Sequence, residues 1–147
     1  MQHRTLGASD LEVSVIAMGT WAMGGPWAHG WGSVDDQESI RSIRRALEMG
    51  INLIDTANVY GLGHAEEIVG KAVKGQRHKT IIATKVGAVV DEEGGITWNS
   101  TPEHLFQEVD KSLRRLDTDY IDVYQIHWPD ADTPLDETMG AFSRLVE

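Results

Sequence analysis

The chain has 147 residues, with 13 Lys and Arg against 23 Asp and Glu, a formal net charge of −10 and a pI near 4.9. The length fits one domain with a real core, and the acidic balance argues against nucleic-acid binding, which needs a basic footprint. With no cysteine there is no disulfide framework, thiolate nucleophile or Cys-ligated zinc. No apolar run approaches the ~18 residues of a membrane span, and the first ten residues lack the basic start and apolar centre of a signal peptide. The expectation is a soluble cytoplasmic protein without a membrane partner.

Strand-like apolar runs alternate with amphipathic helical patterns, as in βα units around a parallel sheet. First, His3–Leu6 and Leu11–Val13 flank the turn-like Gly7-Ala8-Ser9-Asp10 and read as a hairpin. A strand over Val15–Met18 runs into Gly19-Thr20-Trp21 and a Gly/Trp-rich loop to Gly32. Ser33 is the expected N-cap of a helix with Ile40, Ile43 and Leu47 on one face, stopped by Gly50. The second strand, Asn52–Asp55, leads through the loop Asn58–His64 to a short helix over Glu66–Lys74. The third strand is Thr80–Lys85. After an expected loop from Gly87 to Ser100, whose Asp91-Glu92-Glu93 reads as solvated, Thr101-Pro102 reads as N-cap and first helical residue. Leu105, Val109, Leu113 and Leu116 then keep helical spacing. Tyr120–His127 is the fourth strand, and Thr133-Pro134 opens a last helix with Leu135, Met139, Phe142 and Val146 on one face.

Four βα units in 147 residues are about 37 residues each, and eight would need roughly 290, a normal (β/α)8 barrel. The expected fold is therefore α/β, the first four βα units of a (β/α)8 TIM barrel preceded by a short β-hairpin, with residues 1–147 forming the N-terminal half of a single domain. A complete four-stranded open α/β domain is the alternative.

Ligands of parallel α/β folds bind at the carboxyl ends of the strands. Here those ends are Gly19-Thr20-Trp21, Asp55, Lys85 and His127. Period-2 alternation puts Asp55 on the face of Leu53, Lys85 on that of Ala83 and His127 on that of Gln125. A carboxylate and an ammonium sharing one cavity have to pair. Tyr60 lies five residues past Asp55, on a loop that would overhang the mouth. A phenol titrates near ~10 and exchanges protons at neutral pH only if its anion is stabilised, which an adjacent ammonium does. Asp55 would keep Lys85 charged and oriented, and a neutral His127 could hydrogen-bond a substrate oxygen. The set suits protonation of a carbonyl oxygen while hydride arrives at carbon, or the reverse. No residue can deliver hydride, so a nicotinamide is implied.

The same residues carry a resemblance. Arg4-Thr5-Leu6-Gly7 with Leu11–Ser14, Gly19-Thr20-Trp21, Asn52–Ala57 with Tyr60-Gly61, Ala83-Thr84-Lys85, Ser112–Leu116 and Tyr120–His127 occur in one order and spacing. Together they resemble the aldo-keto reductase family over essentially the whole chain. The resemblance implies Tyr60 as proton donor, Lys85 assisting it, Asp55 bracing Lys85 and His127 orienting the carbonyl. It places Gly19, Thr20, Trp21 and Asp55 near the nicotinamide end of the cofactor, with Trp21 and Trp128 in the substrate pocket. It further implies NADPH/NADP as cofactor and small aldehydes or ketones as substrates.

Two features depart from the family pattern. Ala65 stands where a small hydroxyl residue usually precedes the glutamate, so that helix cap is absent. The family's site for the cofactor pyrophosphate and 2′-phosphate lies mostly in strands beyond the fourth. A truncated half-barrel or regulatory subunit without turnover, self-associating through open sheet edges, is therefore the competing reading. Self-association or a missing C-terminal half-barrel would then complete the fold. A Schiff-base lyase using Lys85 is a third, disfavoured because a lysine paired with Asp55 stays protonated. Gly61-Leu62-Gly63 fails as a dinucleotide fingerprint, since Glu66 holds the third glycine's place. The remaining histidines show no ligand spacing, so no metal is expected.

Overall fold

A computed structural model describes all 147 residues. Strands β1 (His3–Thr5) and β2 (Glu12–Ser14) form an antiparallel hairpin. Its anchor is Asn52, whose Oδ1 accepts from Ser14 N at 2.7 Å and whose Nδ2 donates to Glu12 O at 2.8 Å. The hairpin is thereby tied to the amino-terminal end of the main sheet.

The main sheet has the order β3-β4-β5-β8, built from β3 (Met18–Gly19), β4 (Leu53–Asp55), β5 (Ile81–Val86) and β8 (Val123–Ile126). Each neighbouring pair is parallel, with Gly19 opposite Asp55, Asp55 opposite Ala83 and Lys85 opposite Gln125. Every new strand is added on the same side. The crossover helices α1 (Asp36–Glu48), α2 (His64–Val73), α3 (Pro102–Leu116) and α4 (Leu135–Val146) follow in the same order, each packed on the next. A doubly wound sheet would reverse its strand order and carry helices on both faces. This arrangement is an arc of a barrel wall.

Alternation along the strands sorts the side chains. Ile54 and Ile82 point outward into a core with Ile40, Ile43, Ile68, Val69, Ala72, Val73 and Leu116. Burying each Val, Leu or Ile of this set contributes about 1.5–3 kcal/mol, and the seam is the largest of the apolar clusters that hold the fold. Asp55, one residue past Ile54, and Lys85, three past Ile82, face the other way. The outward face also holds one charged cluster: Glu66, fully buried, accepts from Thr84 Oγ1 and from Arg115 Nε, both at 2.6 Å.

Several local readings are corrected. The N-cap of α1 is Asp35, not Ser33; its carboxylate accepts from Glu38 N at 3.0 Å, and the negative charge suits the helix start. The first barrel strand is only Met18–Gly19, because the chain bends at residues 15–16, where Ser14 Oγ donates to the Ile16 carbonyl oxygen at 2.7 Å. Helix α2 starts at His64, with Gly63 (φ +99°) as N-cap and no side-chain cap, so Ala65 sits inside the helix. The expected loop 87–100 contains an antiparallel hairpin, β6 (Ala88–Val90) and β7 (Ile96–Trp98). Its tip is closed by Asp91, whose carboxylate accepts from Glu93 N and Gly95 N. In α4, Phe142 packs on Tyr124 and Ala141 is buried, but Leu135, Met139 and Val146 are exposed, because β8 has no strand on its far side. The expected Thr101 cap and Pro102 start of α3 are as read.

Helices α2 and α3 meet at Gly70, where a Cβ would lie 2.6 Å from the Leu116 carbonyl oxygen. Replacing an interior helical glycine by alanine ordinarily stabilises by up to ~1 kcal/mol. Here Gly70→Ala is expected to lower stability by about 1–3 kcal/mol through overpacking, read as an earlier urea midpoint. A later midpoint would mean the two helices can separate freely.

Candidate active site

The carboxyl ends of the four parallel strands bring the expected residues together. Lys85 Nζ is the centre. It donates to Asp55 Oδ1 at 2.8 Å, to the Thr56 carbonyl oxygen at 2.9 Å and to Tyr60 Oη at 3.4 Å. An ammonium has three N–H bonds, and these three acceptors use them all. The Lys85 side chain is 15% exposed and that of Asp55 38%, so the pair stands at the water boundary of the arc rather than sealed within it.

The local chain path explains the convergence. Thr56 N donates to Ala83 O, extending the β4–β5 ladder one residue past Asp55. The backbone then turns, with Tyr60 N donating to Ala57 O and Ala65 N to Tyr60 O. Gly24 and Gly61 fix the far side of this turn. A Cβ on Gly24 would lie 2.6 Å from Gly61 N and 2.8 Å from the Tyr60 carbonyl carbon, so only glycine lets the 3₁₀ turn Trp21–Gly24 press against the Tyr60 loop. Gly61 itself has φ +61°.

Aromatic rings surround the phenol. Trp21 stacks on Tyr60 with centroids 6.2 Å apart, and His127 meets it edge-on at 5.8 Å. His127 N donates to Val86 O, which continues the β5–β8 pairing and carries the imidazole to the same rim as Lys85. Burial, reinforced by the Lys85 ammonium and opposed by Asp55, holds the His127 imidazole below the ordinary histidine range. It is therefore neutral at pH 7, one nitrogen donating and one accepting. Its Nδ1 is buried and unpartnered.

The other expected residues have distinct places. Gly19 is exposed, with nothing within 4 Å of where a Cβ would stand. Thr20 is fully buried, and its hydroxyl and its amide both donate to Asp55 O at 3.0 Å, so it braces the β3–β4 ends. Trp21 is 45% and Trp128 61% exposed at the rim. Trp98, on β7, was not singled out by sequence. It lies 6.1 Å from the Trp128 ring and 6.4 Å from His127. The Gly/Trp-rich loop reaches the same hairpin, His29 Nε2 donating to Gly94 O at 3.0 Å. A surface hollow of about 760 Å³ beside Arg77, Arg114 and Tyr120 lies by the amino ends of β5 and β8, away from these groups. Parallel sheets place ligands at the opposite ends.

The sequence profile described as "Aldo/keto reductase family" matches residues 15–147. The chain belongs to the aldo/keto reductase family. It is 44% identical to the aldo-keto reductase YhdN of Bacillus subtilis, across 100% of this chain and 44% of that protein. It is 40% identical to the NADH-specific methylglyoxal reductase of Escherichia coli, across 99% of this chain and 48% of that one. Among solved structures, the holo form of the aldo-keto reductase AKR11C1 from Bacillus halodurans superposes with a TM-score of 0.86 at 42% identity, covering 99% of this chain and 46% of that one. The chain thus spans slightly under half the length of these relatives. Its four-stranded arc is the first four βα units of the (β/α)8 barrel, preceded by the β1–β2 hairpin.

The lowered His127 pKa has a definite consequence for acid stability. The folded state binds this proton less readily than the unfolded chain, whose histidines titrate near about 6.5. Stability from this group is present above that value and is lost as pH falls through the lowered folded pKa. In a histidine-selective NMR titration, His127 is expected to remain neutral at a pH where exposed histidines are half protonated. Titration together with the exposed histidines would contradict the burial assigned to it.

Proposed function

We propose that this chain carries the proton-transfer half of a nicotinamide-dependent carbonyl reductase, with Tyr60 as proton donor. The observation that carries the proposal is the hydrogen bond from Lys85 Nζ to Tyr60 Oη. A phenol oxygen that accepts from an ammonium has its own O–H free to donate elsewhere. The ammonium also stabilises the phenolate left after the proton has gone. Asp55 and the Thr56 carbonyl hold the Lys85 ammonium aimed at the phenol while this happens. His127, neutral, offers a hydrogen bond that fixes the carbonyl oxygen of an aldehyde or ketone beside Tyr60.

The arrangement fits a reduced nicotinamide on two grounds. No side chain of the set can give a hydride, and the exposed Trp21 ring and unobstructed Gly19 leave open surface beside the phenol. Gly19, Trp21 and Asp55 would hold that end of the cofactor, with Thr20 fixing the Asp55 backbone. When bound, the cofactor supplies the hydride. We take NADPH as the cofactor, following the family resemblance; the NADH-specific Escherichia coli relative marks the alternative. The rim of Trp21, Trp98 and Trp128 favours flat, apolar carbonyl compounds. We further propose that residues 1–147 form the N-terminal half of a single barrel domain, so that the cofactor's pyrophosphate and adenosine are gripped by other residues of the intact protein.

The test is turnover of the intact protein with NADPH and an aromatic aldehyde, followed by nicotinamide absorbance, with NADH in parallel. Tyr60→Phe is expected to lower kcat by at least ~10²-fold, the scale of a lost general acid, while cofactor binding by tryptophan quenching persists. Turnover in the variant equal to that of the parent would refute the assignment.

A further inference from the structure

A second set of polar groups stands behind the strand ends, on the side away from the cavity. Asn58, two residues before Tyr60, is 7% exposed. Its Nδ2 donates to Glu108 Oε2 on α3 at 3.1 Å and to the Ala88 carbonyl oxygen at 3.3 Å. Ala88 begins β6, three residues beyond Lys85. One buried amide therefore ties the loop bearing Tyr60 to the segment that follows Lys85.

Glu108 is itself buried, which would ordinarily expel a carboxylate's charge. It stays ionised because Lys111 Nζ donates to it at 2.6 Å, Asn58 donates as well, and Arg115 lies at 3.9 Å. These contacts hold its pKa below the ordinary range despite burial. Arg115 continues to Glu66, and Glu66 to Thr84, the residue before Lys85. The circuit Asn58–Glu108–Arg115–Glu66–Thr84 thus starts beside Tyr60 and ends beside Lys85, joining them through α3 and α2.

We propose that Asn58 and Glu108 are positioning residues that set the separation of Lys85 Nζ and Tyr60 Oη. The idea rests on the proton-donor reading of Tyr60. The Lys85–Tyr60 contact, at 3.4 Å, is the longest of the three that Lys85 makes. Unlike Asp55, which ends β4, and Thr56, which follows it directly, Tyr60 hangs from a loop with no ladder bond of its own to β5. The link through Asn58 supplies that connection. A fixed donor is what proton transfer requires, and a misplacement of about 1 Å can cost ~100-fold in rate.

The experiment compares Asn58→Ala in the intact protein with the same change made in a Lys85→Met background. Asn58→Ala is expected to lower kcat by about 10- to 100-fold, with KM for cofactor unchanged. In the Lys85→Met background, where the separation no longer matters, it is expected to lower kcat by less than about twofold. Glu108→Leu cuts the same link from helix α3 and should reproduce both results if the loop variant folds poorly. An equal fractional loss in the two backgrounds would mean general loosening and would overturn the proposal. If Tyr60→Phe abolishes turnover while Asn58→Ala and Glu108→Leu retain parental kcat, this inference alone fails. If Tyr60→Phe retains turnover, the reading beneath it has failed instead.

Discussion

The structure at the strand ends depends on how one ammonium is satisfied. The Lys85 side chain is mostly removed from water, and leaving an ammonium there without partners is costly. Three acceptors prevent this, and each comes from a different point on the chain: the end of β4, the peptide after it, and the following loop. The requirement that all three reach one nitrogen sets the register of β4 against β5 and the turn at residues 57–60. It also makes the phenol oxygen an acceptor, so its own O–H points away from Lys85. The geometry that satisfies the ammonium is also the one on which the proposed proton transfer rests.

The outer face of the arc works by different means. Between the helices and the sheet, nine aliphatic residues form a continuous seam, with the buried Glu66–Arg115 pair crossing its edge. Removing Arg115 would leave the fully buried Glu66 carboxylate with Thr84 as its remaining partner. Gly70 lets α2 and α3 approach to backbone contact, and Gly24 with Gly61 does the same for the Trp21 turn and the Tyr60 loop. Helix α2 therefore locates Tyr60 from its carboxyl side while the 3₁₀ turn locates it from above.

Much of this was legible in the sequence because strand periodicity and strand ends are local. Asp55 and Lys85 could be set on one face by counting in twos, and Thr101-Pro102 announces its helix chemically. What was missed depends on distant partners. Asn58 looks like any polar loop residue until Glu108, fifty positions away, is seen to accept from it. Trp98 sits in the segment from Gly87 to Ser100, whose acidic triplet reads as a solvated loop and whose three-residue strands are too short to show alternation. Ser33 and Asp35 are both good caps, and only the backbone path selects Asp35. Helix α4 has a clear apolar pattern, but whether that face is covered depends on what lies beside β8.

The central claim is that Lys85 acts through Tyr60 rather than beside it, and a double-mutant cycle on turnover addresses that directly. Tyr60→Phe, Lys85→Met and the double variant of the intact protein would be compared for kcat with NADPH and an aldehyde. Groups that act as one unit are strongly non-additive, so the double variant is predicted to be no slower than Tyr60→Phe alone. Losses that multiply in the double variant would show two independent contributions and contradict the account.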